Sequence, residues 1–177
     1  MPRWCVTVDE RMRAYLDLEQ ALKRGDLAAA RAALGAPADW PNVREPYINS
    51  AVIALAIYWC PIDALRDLLM HGADPNFVAD DGFPAVLSVA LSEDEDAIDR
   101  VRLLLEHGAD PNARGINGWT PLHAAAGRED LAMLQLLLDN GADPTVTTNV
   151  DDYETPLEEA ERGGRMKAAA YLRERMR

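Results

Sequence analysis

Few residues in this chain are equipped for chemistry: three histidines, two cysteines, scattered serines and one dense acidic run. Glu93-Asp94-Glu95-Asp96 carries the carboxylates of a divalent-metal site, but such a site needs ligands converging from several directions. The four follow Ser92 in the Ser-x-x-Glu pattern of a helix capping box. They are therefore expected in a first helical turn, where carboxylates favour the positive end of the helix dipole. Contact with a basic partner is the second reading of the run, and a metal the third. His71 and His107 each precede a glycine, where a cation near a helix C-terminus is mildly favourable, and no Cys or second His stands at zinc spacing. Ser50, Ser88 and Ser92 have no His–Asp constellation and no Gly-x-Ser-x-Gly elbow. Arg162-Gly163-Gly164-Arg165 reads as a helix-to-helix turn, not a phosphate loop. The expectation is no catalytic residue, no cofactor, no metal, and no enzyme.

What remains is repetition. His71-Gly72-Ala73-Asp74-Pro75-Asn76-Phe77 recurs as His107-Gly108-Ala109-Asp110-Pro111-Asn112-Ala113 and again as Asn140-Gly141-Ala142-Asp143-Pro144-Thr145-Val146. The glycines lie 36 and 33 residues apart, the mark of a repeat architecture. Before each copy stands an apolar stripe at i, i+3, i+4: Leu65, Leu68, Leu69; Val101, Leu104, Leu105; Leu134, Leu137, Leu138. A glycine directly after such a stripe closes a helix in the left-handed conformation, and Pro just beyond cannot continue it.

Between the second and third copies, Gly118-Trp119-Thr120-Pro121-Leu122-His123-Ala124-Ala125-Ala126 runs into Leu131-x-x-Leu134-x-x-Leu137-Leu138-x-x-Gly141-Ala142-Asp143. This stretch resembles an almost complete ankyrin repeat. Thr120 suits a helix N-cap and Pro121 the first helical position, while His123 is expected to bond backbone of the neighbouring loop. Gly82-Phe83-Pro84 sits at the same offset one repeat earlier, and Thr155-Pro156-Leu157 marks one later. Asn49-Ser50-Ala51-Val52 stands where another is due. Leu34-Gly35-Ala36-Pro37-Ala38-Asp39 matches the end of a first unit, with Pro37 in the glycine's place. The resemblance implies an all-α ankyrin solenoid of about five stacked helix-turn-helix units with short finger loops and little true sheet. The units run approximately 14–42, 43–76, 77–112, 113–145 and 146–177, a single domain behind a leader at 1–13.

The 177 residues leave no room for a separate catalytic domain, and no apolar run reaches the ~18–20 residues of a membrane span. Met1-Pro2-Arg3-Trp4-Cys5 has no secretory apolar region, and Cys5 and Cys60 are too few and scattered for a disulfide framework. Both point to reduced thiols in the cytoplasm. The preference for Arg over Lys, 16 to 2, suggests a GC-rich bacterial genome. Of the net charge of −12, almost all lies in residues 40–150, which hold 17 acidic against 6 basic groups. Such a middle repels nucleic acid and hastens encounter with a basic protein.

In ankyrin proteins the fingers and adjacent inner helices form the binding surface. Carried onto this chain, that implies a partner-binding set of Tyr47, Asp80, Asp81, Phe83, Arg114, Ile116, Trp119, Asp151, Asp152, Tyr153 and Glu154. The aromatics among them fall in one row, the type most enriched at interface hot spots, though packing between fingers is an equal alternative for each. The expected function is a monomeric, non-enzymatic module binding a basic protein, with no nucleic-acid or membrane role. The alternative is an inhibitor, such as an immunity protein neutralising a cationic bacterial nuclease toxin.

Overall fold

The recurring glycines do close helices. In the computed structural model, which describes residues 8–47, 50–79, 81–150 and 153–177, Gly72, Gly108 and Gly141 have φ of +89°, +91° and +89°. Each sits in the same hydrogen-bonded turn. The Ala73, Ala109 and Ala142 N–H groups donate back to the Leu68, Leu104 and Leu137 carbonyls at 3.0, 2.9 and 2.9 Å. Carbonyls that a helix end leaves without partners are thereby satisfied.

Residues Met1–Ala79 and Asp80–Arg177 form two compact units. The first contains α1 (Val8–Arg24), α2 (Leu27–Ala33), α3 (Val52–Trp59) and α4 (Ile62–Met70). Here α1 packs on α2 and α3, and α3 on α4, around Leu18, Leu22, Ile53, Leu65 and Leu68. Residues 8–13, assigned from sequence to the leader, belong to α1, whose first turn carries Asp9 and Glu10. The left-handed closing residue of α2 is Gly35 (φ +75°), with the Gly35 N–H donating to the Ala32 carbonyl at 2.9 Å. The expectation that Pro37 takes this place was off by two residues. Glu45 N–H donates to the Ser50 carbonyl at 2.6 Å beside an isolated antiparallel bridge between Arg44 and Ala51.

The second unit contains α5 (Ala85–Ala90), α6 (Ala97–Glu106), α7 (Pro121–Gly127), α8 (Leu131–Asp139), α9 (Pro156–Arg162) and α10 (Met166–Arg175). Its three helix pairs stack in order, α5 on α7 on α9 and α6 on α8 on α10. The stripe residues Val101, Leu104, Leu134 and Leu137 are fully enclosed, each worth about 1.5–3 kcal/mol of apolar burial. Ten helices and no strand are found among the described residues.

The capping box expected at Ser92 does not form. Ser92 N–H still donates to the Val89 carbonyl at 3.0 Å, closing α5, and its hydroxyl accepts the Asp94 N–H at 3.4 Å. Helix α6 begins only at Ala97, with Asp96 at the cap and bound to Arg100 at 2.8 Å. That contact, a hydrogen bond first of all, holds the Asp96 carboxyl below its usual range. Glu93, Asp94 and Glu95 are exposed ahead of the helix.

Candidate partner-binding surface

The finger turns of the second unit are held by hydrogen bonds from both backbone and side chains. After α8, Thr148 and Glu154 close a loop on each other: Thr148 N–H donates to the Glu154 carbonyl at 3.0 Å, and Glu154 N–H to the Thr148 hydroxyl at 3.1 Å. Thr148 is buried, as expected of a hydroxyl that must find partners once out of water. The preceding turn, a short 3-10 segment at Ile116–Gly118, is tied to this loop through Asn149 N–H and the Asn117 carbonyl at 2.8 Å. Arg114 adds bonds to the Thr147 carbonyl at 3.3 Å and the Asn149 side chain at 3.4 Å.

His123 locks the loop to the helices. It has no exposed surface. Its Nδ1 meets the Thr120 hydroxyl at 2.8 Å and the Thr120 N–H at 3.3 Å, and its Nε2 lies 3.0 Å from the Glu154 carbonyl. A carbonyl only accepts, so Nε2 carries the proton and Nδ1 accepts from both Thr120 donors. Burial pushes the imidazole below its ordinary pKa, with the Glu154 carbonyl opposing the shift. The residue is thus neutral and fully used, as its place in the repeat suggested.

On this scaffold three large apolar side chains face solvent. Ile116 is 59% exposed, Val150 67% and Tyr153 66%. Val150 was placed on this finger from the sequence but left out of the partner-binding set. Asp81 is also exposed, its carboxylate accepting the Phe83 N–H at 3.1 Å to shape the first turn. Phe83 and Trp119 differ from the others. Both are half-buried, Trp119 stacking on His123 at 6.1 Å between ring centroids. Phe83 lies against Gly115, so close that a Cβ there would sit 3.7 Å from its ring. Phe83 thus touches the next turn, and Trp119 the first helix of its own repeat.

Glu154 is not an open acidic group. Its carboxylate takes Arg162 at 2.7 and 2.8 Å, and Arg162 also reaches Glu159 at 2.5 Å. Asp80, Asp151 and Asp152 lie outside the described residues, as does Cys5, whereas Cys60 is buried at the end of α3. Tyr47 belongs to the first unit. It is 41% exposed, its ring lies tilted against Tyr15 at 5.8 Å between centroids, and its hydroxyl faces the Met12 sulfur at 3.8 Å.

The Thr120 hydroxyl that meets His123 Nδ1 at 2.8 Å is buried together with that imidazole. Among the described residues no group of His, Cys, Asp and Glu converges on a point where a metal would sit, and no helix is long and apolar enough to cross a membrane. Residues 53–148 and 87–176 match the family model described as ankyrin repeats in three copies. No curated protein matches the chain.

Proposed function

The chain belongs to the ankyrin-repeat family, whose repeats generally act as protein–protein interaction modules, and on that premise we propose that its second unit binds a basic protein through the finger turns. The observation that carries this reading is the exposure of Ile116, Val150 and Tyr153 on backbone-fixed turns. A backbone already held in place loses little freedom when a partner covers it. Asp81 on the preceding turn, with Asp80 before it in sequence, and Asp151 and Asp152, between Val150 and Tyr153 in sequence, supply charge that steers a cationic partner. Arg114 serves to join neighbouring turns, and Phe83 and Trp119 support the surface from beneath.

The test is comparative capture. Wild-type protein and an Ile116→Asp/Tyr153→Ser variant are used as bait in host extract, with captured proteins identified by mass spectrometry. The reading expects one or more basic proteins retained by the wild type and lost by the variant. Equal capture by both would move the site off these turns. A single cationic toxin among the captured proteins selects the inhibitor function, and a varied set selects a general scaffold.

A further inference from the structure

The first unit gathers three aromatic rings at its surface. Tyr15 of α1 meets Trp59, the last residue of α3, edge-on with 6.1 Å between centroids, and meets Tyr47 at 5.8 Å. None of the three is fully buried: Tyr47 is exposed, and Tyr15 and Trp59 are half-buried.

Carboxylates stand beside the middle ring. Glu19 lies one turn after Tyr15 on α1, and Glu45, buried, accepts the Tyr47 N–H at 2.7 Å. Burial pushes the Tyr15 phenol above its ordinary pKa, and Glu19 and Glu45 push it the same way, with Lys23 opposing. The faces of Tyr and Trp rings are themselves negative. Such rings edged by two carboxylates attract a cation.

One cation is already seated there. Lys23, a further turn along α1, sets its ammonium 5.4 Å from the Trp59 ring centre and 2.5 Å from the Glu19 carboxylate. The Lys23 side chain is 47% exposed. An exposed pair of this kind contributes little, so an outside cation displaces it at small cost. The group that the cluster accommodates is thus a compact ammonium at the end of a flexible apolar stem, which is the side chain of lysine.

We propose that Tyr15, Tyr47, Trp59 and Glu19 form a binding site for a lysine side chain of a partner protein, which takes the place of the chain's own Lys23. Lys23 is then a built-in competitor that holds the site until a partner arrives. This site belongs to the first unit and does not rest on the finger turns of the second.

Titration of the full chain with the peptide acetyl-Gly-Lys-Gly-amide, followed by nuclear magnetic resonance at the Trp59 indole N–H, tests it. The expected result is a saturable shift with Kd in about the millimolar range, absent for the same peptide with norleucine in place of lysine. Lys23→Met should tighten binding by about threefold or more, because it removes the competitor. Lys167→Met removes the same charge from α10 and should leave the affinity unchanged. Tyr47→Leu and Glu19→Gln should each weaken binding by about threefold or more, with circular dichroism and melting close to wild type. A Trp59 indole that stays unshifted in both the wild type and Lys23→Met overturns the proposal. So does a gain from Lys23→Met no larger than that from Lys167→Met, or an affinity that Tyr47→Leu or Glu19→Gln leaves unchanged.

Discussion

Replacing the turn glycines by alanine separates two kinds of turn that look alike in sequence. Gly108 and Gly141 follow the second helix of their repeats with φ of +91° and +89°, and Gly164 follows the first helix of its repeat with φ of +67°. At all three an added Cβ meets no atom within 4 Å, so the cost of alanine is conformational and not steric. The left-handed basin open to a side chain lies at φ of about +50° to +70°. Gly164 is inside it, and Glu129 occupies the equivalent turn one repeat earlier at φ +58°. Gly108 and Gly141 stand some 20° outside. Alanine in the basin costs roughly 1 kcal/mol. Beyond it, the residue either keeps the strained angle or gives up the bond from Ala109 or Ala142 to the preceding helix, for about 2 kcal/mol. Gly108→Ala and Gly141→Ala should therefore each lose about 2 kcal/mol, and Gly164→Ala about 1 kcal/mol. Urea titrations with a common m value read these differences as shifts in midpoint. Equal losses at all three sites would refute the reasoning from φ.

Other expectations follow from the same contacts. His123 is held below its ordinary pKa by burial, so the unfolded chain takes up a proton that the folded one refuses. Its contribution is present above pH ~6.5 and falls by up to about 1.4 kcal/mol per pH unit below that, until the folded pKa is reached. Melts of wild type and His123→Gln between pH 7.5 and 5.5 should show the steeper acid loss in the wild type. Trp119→Ala removes the stack on His123 and should destabilise the fold by about 1–2 kcal/mol, measured by thermal melting. Gly115→Ala sets a Cβ 2.5 Å from the Leu87 side chain, which is fully buried, and should cost about 1–3 kcal/mol in denaturant titration.

The helices and their order were legible because closure by Gly and a buried stripe are local, periodic signals that burial reinforces. The stripe residues Leu65, Leu68, Leu134 and Leu137 all became core. Errors arose where one residue had two possible employers. Ser92 has the letters of an N-cap but is still closing the helix before it. Gly35 and Pro37 both suit a helix end, and only the backbone angle chooses between them. At the surface, type and spacing found the turns but not the exposure of their side chains. Trp119 turned onto His123, Glu154 was taken by Arg162 eight residues on, and Val150 stood out into solvent. The first two are contacts within one repeat, four and eight residues apart, that compete with exposure to solvent, and residue type alone does not decide that competition.

Whether the finger turns of the second unit bind a basic protein is read from binding kinetics with the captured partner. At two salt concentrations, Ile116→Asp should raise the dissociation rate at least tenfold with little change in association, because it acts after encounter. Asp81→Lys should slow association and flatten its salt dependence while leaving dissociation nearly unchanged, because rim charge acts before contact. Rates equal to wild type for both variants would contradict the account.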